Sequence, residues 1–204
     1  MKDYPSIPKD IRTDINIFAF DKLDGSNIRA EWSKQKGFYK FGSKTRLLGE
    51  DDLQLGEAIG LIHQLYGEGL AKIFTDARYE RAISFFEFYG PRSSAGWHHA
   101  EPHTVTLIDV NPYKKGIMEP SAFIDTFEKL GIPRVLYYGK ANSMFVESVR
   151  ERTLEGMGLE GVICKAKNDK RTPKPIMFKI KSREWLRQLK EHCKGDEALF
   201  EQLA

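Results

Sequence analysis

The chain reads as an α+β protein with largely antiparallel sheets flanked by helices. Three observations predict this. Short apolar or alternating runs of strand character follow one another directly, with only brief turns between them. Helical patterns are few and do not alternate regularly with strands, as a doubly wound parallel sheet would require. The 204 residues, 41% of them hydrophobic, suffice for one domain, or one domain with a small appendage, around a real core.

The elements follow in order. Residues 15–20, 27–33 and 37–42 are strands joined by short turns, the first turn carrying Asp24-Gly25. Asp51 to about Phe74 reads as a helix, with Leu53, Ile59, Ile62 and Leu65 near helical spacing and Gly56, Gly60 and Gly67 weakening it. Residues 82–89 form a strand stopped by Gly90-Pro91, and residues 91–103 a polar loop. Thr104 to Val110 is the next strand. Pro120 to Leu130 is a helix that opens on Pro120-Ser121 and closes at Gly131. Val135–Tyr138 is a strand and residues 142–153 a helix. Gly161–Lys165 and Ile176–Ile180 are two late strands. A helix over 183–203, broken at Gly195, puts Trp185, Leu186, Leu189 and Cys193 on one side. The expected organisation is one domain over 1–182 and a short helical tail over 183–204.

Composition excludes several classes. No run of ~18 apolar residues marks a membrane span, and the first residues carry no apolar signal region, so no membrane partner and a cytoplasmic location are expected. Cys164 and Cys193 have no metal-ligand spacing and read as free thiols. His98, His99 and His103 lie in the polar loop with no cysteine to complete a zinc pattern. The net charge of +3 is unremarkable, but Lys165, Lys167, Lys170, Arg171, Lys174, Lys179, Lys181 and Arg183 crowd into one stretch. Such crowding suits a phosphate-binding face.

Five segments stand out in order: Lys22-Leu23-Asp24-Gly25, Ser43-Lys44-Thr45-Arg46, Phe85-Phe86-Glu87-Phe88-Tyr89-Gly90-Pro91, Glu160-Gly161-Val162-Ile163-Cys164-Lys165 and Phe178-Lys179-Ile180-Lys181. Each alone is a common pattern. An Asp-Gly turn flanked by lysine is ordinary, and Lys-x-Lys on a strand puts two cations on one exposed face. Together, in this order, they resemble motifs I, Ia, III, IV and V of the polynucleotide ligase and mRNA-capping superfamily, from Phe20 to Lys181. Glu87-Phe88-Tyr89-Gly90-Pro91 and the Asn27 that follows Asp24-Gly25-Ser26 bring the chain nearest to the RNA ligase 2 group. In place of the aromatic residue usual before the aspartate of motif IIIa, the chain has Ile108, in Thr106-Leu107-Ile108-Asp109-Val110. The stretch after motif V is too short for the oligonucleotide-binding (OB) barrel that DNA ligases usually carry there.

The resemblance implies a covalent nucleotidyltransferase of ATP-grasp-like adenylation-domain fold. Its reaction needs a neutral amine, and an ordinary lysine, with a pKa of ~10.4, is almost wholly protonated near neutrality. Neighbouring cations such as Lys179 and Lys181 favour the neutral form. By resemblance Lys22 is the nucleophile, with Glu160, Lys179 and Lys181 completing the catalytic set. Asp24, Gly25, Asn27, Arg46, Glu87 and Ile108 join them in binding the nucleotide. Glu160 and Glu87 are the expected ligands of Mg2+ or Mn2+, hard ions that favour oxygen donors. Arg46 suits a phosphate because its planar fork binds bidentately; Arg29, two residues beyond Asn27, is a weaker candidate for the same side. The expectation is an ATP-dependent RNA ligase. ATP adenylates Lys22, AMP passes to a 5′-phosphate, and a 3′-hydroxyl seals the strand. RNA is favoured over DNA, and a protein partner could supply substrate grip. A minimal DNA ligase or a GTP-using capping-type transferase would share most of these residues, and a non-enzymatic nucleic-acid-binding remnant would have no need of them.

Overall fold

The computed structural model describes residues 1–91, 101–168 and 175–204. In chain order the strands are β1 Asn16–Asp21, β2 Ser26–Ser33, β3 Gly37–Ser43, β4 Leu47–Leu48, β5 Arg81–Tyr89, β6 Thr104–Pro112, β7 Val135–Lys140, β8 Gly161–Ala166 and β9 Met177–Lys181. The α-helices are α1 Glu57–Ile62, α2 Glu68–Asp76, α3 Pro120–Phe127, α4 Ser143–Arg150, α5 Arg183–His192 and α6 Glu197–Leu203. Among the described residues every strand pairing is antiparallel, in keeping with an α+β reading.

The chain divides into two compact units. Unit 1 comprises Met1–Pro5 and Asp24–Pro133, and unit 2 comprises Ser6–Leu23 and Arg134–Ala204. Helices α5 and α6 therefore belong to a unit that also contains β1 and β7–β9.

Unit 1 is built on the sheet β4-β3-β2-β5-β6. Alternation along β2 buries Ile28, Ala30 and Trp32, whose partners on β5 are Phe86, Ser84 and Ala82. The helical segment 57–76 packs on this face: Trp32 meets Phe74 at 5.3 Å and Tyr66 meets Phe86 at 5.2 Å between ring centres. Between α1 and α2 the segment His63–Gly67 is a π-helical turn. Its extra residue resets the helical phase, so the buried stripe runs Ile59, Ile62, Tyr66, Leu70, Phe74. Leu53 and Leu65, expected in that stripe, are exposed at 101% and 48%, and residues 51–56 precede the helix as turns.

Unit 2 is built on the sheet β7-β1-β8-β9. One face carries Ile17, Ala19, Val162, Cys164, Phe178 and Ile180, closed by Phe145, Val146 and Val149 of α4. The other face presents Phe20, Ile163 and Lys179, which are aligned across β1, β8 and β9. Cys164 and Cys193 are buried free thiols. Most of the polar loop, including His98 and His99, lies outside the described residues, as do Lys170, Arg171 and Lys174 of the basic run. Among the described residues no helix is long and apolar enough to cross a membrane.

Candidate active site

Lys22 is the residue immediately after β1, and three interactions of its neighbours fix it. Asp21 is buried; its carboxylate accepts from the Gly158 N–H at 2.8 Å and from the Arg134 guanidinium at 2.8 Å. The Lys22 N–H donates to the Gly161 carbonyl at 3.0 Å. The backbone is thus held at Asp21 and at the Lys22 N–H. Gly161 sits at φ +133°, and a Cβ there would lie 2.1 Å from the Ile180 carbonyl oxygen, so only glycine lets β8 begin this close to β9.

That close approach brings together three residues of the expected catalytic set. Lys22 Nζ lies 2.8 Å from one oxygen of Glu160, and Lys181 Nζ lies 3.1 Å from the other. Glu160 is buried at 3% exposure, so its two ammonium partners offset a desolvation that would otherwise be severe. Ser182 fastens the base of this arrangement. Its N–H donates to the Glu160 carbonyl at 2.9 Å, its hydroxyl donates to the Leu159 carbonyl at 2.6 Å, and the same oxygen caps α5 by accepting from the Trp185 N–H at 3.0 Å.

Lys179 and Lys181 share a face, as their spacing predicts. Lys181 Nζ donates to the Leu203 carbonyl at 2.9 Å and Lys179 Nζ to the Ala204 carbonyl at 3.4 Å, both at the end of α6. Lys181 Nζ also lies 3.7 Å from the centre of the Trp185 ring. Burial pushes the Lys181 ammonium down to about 8; Glu160 opposes this, while Lys22 and Lys179 add to it.

The unit 1 candidates are held separately. Glu87 accepts from the Gly25 N–H at 3.1 Å, which ties the Asp24-Gly25 turn to β5. A Cβ on Gly25 would stand 2.3 Å from the Phe88 carbonyl oxygen, so the turn needs this glycine. Asn27 is paired in register with Glu87, and its amide donates to the Phe86 carbonyl at 3.4 Å. Ile108 is the extra residue of a β-bulge in β6, and Phe85 and Phe86 pair with Asp109 and Leu107 on either side of it. It lies two positions from Thr106, the partner of Glu87, and so on the Glu87 face, half-buried. Arg46 occupies the β3–β4 turn with its guanidinium paired to Asp52, which lowers the Asp52 carboxyl to about 2.

Of the residues around these candidates, Tyr4 and Asp21 carry no sequence signal. Tyr4 packs on Phe85 at 4.9 Å and donates to Asp109; burial, followed by Asp109, raises its hydroxyl well above the usual phenol range. Arg29 is buried, donating to the Ser43 carbonyl at 2.7 Å and pairing with Asp3. Asp21 adjoins Lys22 but belongs to no motif. His103 is a structural bolt, with its ring nitrogens at Glu57 and at the Pro91 carbonyl. Lys165, counted in the basic run, is buried with its ammonium 4.7 Å from the centre of the Phe20 ring, and so is no exposed phosphate ligand.

Among the described residues no three His, Cys, Asp or Glu side chains cluster to hold a metal ion. Both Glu160 oxygens already face ammonium groups. These residues do not fit a resident ion; a divalent ion carried in on nucleotide phosphates needs only one or two carboxylates from the protein.

No family model matches the chain, and no curated protein matches it. Solved structures do. A Naegleria gruberi RNA ligase with PPi aligns at a TM-score of 0.66 and 13% identity, over 88% of this chain and 53% of that one. A point mutant of that ligase in the apo form aligns at 0.66 and 12%, over 92% and 59%, and another with ATP and Mn at 0.62 and 13%, over 86% and 52%. The fold is therefore the RNA-ligase nucleotidyltransferase type. The chain spans just over half the length of these structures.

Proposed function

We propose that the protein is an ATP-dependent RNA ligase of the RNA ligase 2 type that works through a lysyl-AMP on Lys22. The observation that carries this reading is the Lys22–Glu160–Lys181 cluster, set at the junction of β1, β8 and β9. Lys22 Nζ, as the neutral amine, attacks the α-phosphorus of ATP; a P–N bond forms, the bond to pyrophosphate breaks, and the amine proton passes to the departing pyrophosphate or to water. Lys179 and Lys181, cations on one strand face, offset the charge that grows on the α-phosphate oxygens. The adenylate then passes to a 5′-phosphate, which returns the lysine amine. A 3′-hydroxyl attacks the activated phosphate, and AMP leaves as the phosphodiester forms.

Glu160 orients Lys22 before ATP arrives, which lowers the entropic cost of reaching the attack geometry. Asp24, Gly25, Asn27, Arg46, Glu87 and Ile108 are assigned to the nucleotide, with Ile108 covering a base face by apolar contact. The divalent ion, Mg2+ or Mn2+, enters as part of the ATP substrate, with Glu160 and Glu87 as its carboxylates. The Naegleria gruberi structures with ATP or AMP and Mn support this choice of substrates.

Incubation with α-labelled ATP and Mg2+, followed by denaturing electrophoresis, tests the reading. The wild type is expected to carry an acid-labile, alkali-stable label, and Lys22→Ala to carry none. Labelling of Lys22→Ala at the wild-type level would sink the assignment. GTP in parallel separates the capping-type alternative, and nicks with ribo or deoxy 3′-ends separate RNA from DNA ligation.

A further inference from the structure

At the end of the unit 1 sheet remote from Asp24 and Glu87, three turns bring cations and tyrosines together. β2 ends at Ser33 opposite Arg81, the first residue of β5, and β6 ends at Pro112 opposite Ala82. Lys36 lies over the Tyr39 ring at 5.3 Å from its centre, and Arg81 over Tyr113 at 4.0 Å. Lys114 is 5.3 Å from the Tyr113 ring centre, and Lys115 is 5.0 Å from that of Tyr79. Tyr39 and Tyr113 are 39% and 51% exposed, and Lys34, Lys36, Arg81, Lys114 and Lys115 are all exposed. A depression of about 300 Å³ is lined by Lys34, Lys36, Tyr39 and Arg81 among others. Glu80 also lines it, and Glu31 accepts a hydrogen bond from Tyr39, so five cations face two carboxylates.

None of these residues belongs to the five motifs. A solvated basic face would account for the lysines, but not for the partly exposed tyrosines interleaved with them. Cations that track a phosphate backbone, interleaved with rings on which bases stack, form the general recipe for holding a single nucleic-acid strand. We infer that this surface grips a nucleic-acid strand outside its reacting end, with Lys34, Lys36 and Lys115 on phosphates and Tyr39 and Tyr113 against bases. The partner class rests on the ligase reading. Lys165 of the basic run is buried, whereas this surface presents exposed cations. From Ser26 to Ser33 the strand rises ~24 Å, equal to about seven duplex steps at 3.4 Å each. Strands reaching fewer than about seven nucleotides past the Asp24–Glu87 end would miss the patch.

The test is fluorescence anisotropy with a labelled 24-nucleotide single-stranded RNA over a salt titration. The variants are Lys36→Glu/Lys115→Glu and the milder Lys36→Gln/Lys115→Gln. Losing two phosphate contacts is expected to make the slope of log K against log salt shallower by about 1.4 in both, with at least a tenfold affinity loss at ~0.1 M salt in the Glu pair. Self-labelling with ATP should persist in both pairs, since neither lysine is in the adenylation machinery. A Gln pair that binds with wild-type affinity and slope overturns the inference, as does a wild type that fails to bind the RNA. A wild type that binds the RNA in this way yet takes no label from ATP would overturn the ligase reading and leave the patch standing.

Discussion

Burial carries the titration of Lys181, one of the catalytic candidates, from 10.5 down to about 8. The sign follows from proton counting. Between pH 8 and 10.5 the unfolded chain binds the Lys181 proton and the folded chain does not, so stability rises with pH in that window. Below pH 8 both states are protonated and the full cost of burying the ammonium remains. Denaturant unfolding at pH 7.5 and 9.5 is expected to show this gain in the wild type and to show it diminished in Lys181→Met. Keeping below pH 10 avoids Tyr4, Tyr39 and Tyr66, whose raised hydroxyl pKa values act in the opposite direction. The buried Cys164 thiol, pushed up from 9.0, opposes the gain within the window equally in both proteins, so the difference between them reports Lys181. Equal gains in both proteins would mean that Lys181 is not desolvated as described. At this scale the sequence was informative wherever a side chain works within a few residues of its motif. Lys22, Glu160 and Lys181 were legible because each opens or closes a short strand pattern, and they do converge. Tyr4 was not, because its partners Phe85 and Asp109 are reached only through the fold; nor was Asp21, whose partners are Arg134 and Gly158.

Among the elements, two glycines of similar appearance have opposite meanings. Gly161 opens β8 against the Ile180 carbonyl, whereas Gly60 lies inside α1 with nothing near a would-be Cβ. Gly161→Ala is expected to cost about 1–3 kcal/mol or more, since a strained φ and a backbone overlap act together. Gly60→Ala is expected to stabilise by about 0.5–1 kcal/mol, through loss of unfolded-chain freedom and better helix propensity. Urea midpoints measure both, and a Gly161→Ala protein as stable as the wild type would show that β8 and β9 do not meet as described. Strand positions were legible because period-two alternation survives wherever one face is buried, as in Ile28, Ala30 and Trp32. The phase of the helix over 57–76 was not. A single π-helical turn moves the buried stripe from Leu65 to Tyr66, and nothing in the pattern Ile59, Ile62, Leu65 announces an inserted residue.

Across the whole molecule, unit 2 is assembled from two distant pieces of chain. Asp21 finds Arg134 and Gly158 at separations of 113 and 137 positions, and β1 lies between β7 and β8. Unit 1, apart from its first five residues, is one continuous stretch. Long-range pairing slows folding because chain closure precedes its reward. Refolding of two single-tryptophan variants is expected to show Trp32, in unit 1, reaching its native signal before Trp185, in unit 2. Coincident rates would show that the two units fold as one. For a chain being synthesised, the same topology sets a waiting time. β1 leaves the ribosome first among the strands, yet its neighbour β7 begins at Val135, which at ~5–20 residues per second follows on the order of ten seconds later. Through that interval Asn16-Ile17-Phe18-Ala19-Phe20-Asp21 is an apolar strand with both edges unsatisfied, the kind of segment that pairs with another chain if it meets one. The strand that positions Lys22 is thus also where a crowded nascent chain is most exposed to aggregation, and the presence of a holdase chaperone should raise the yield of soluble protein.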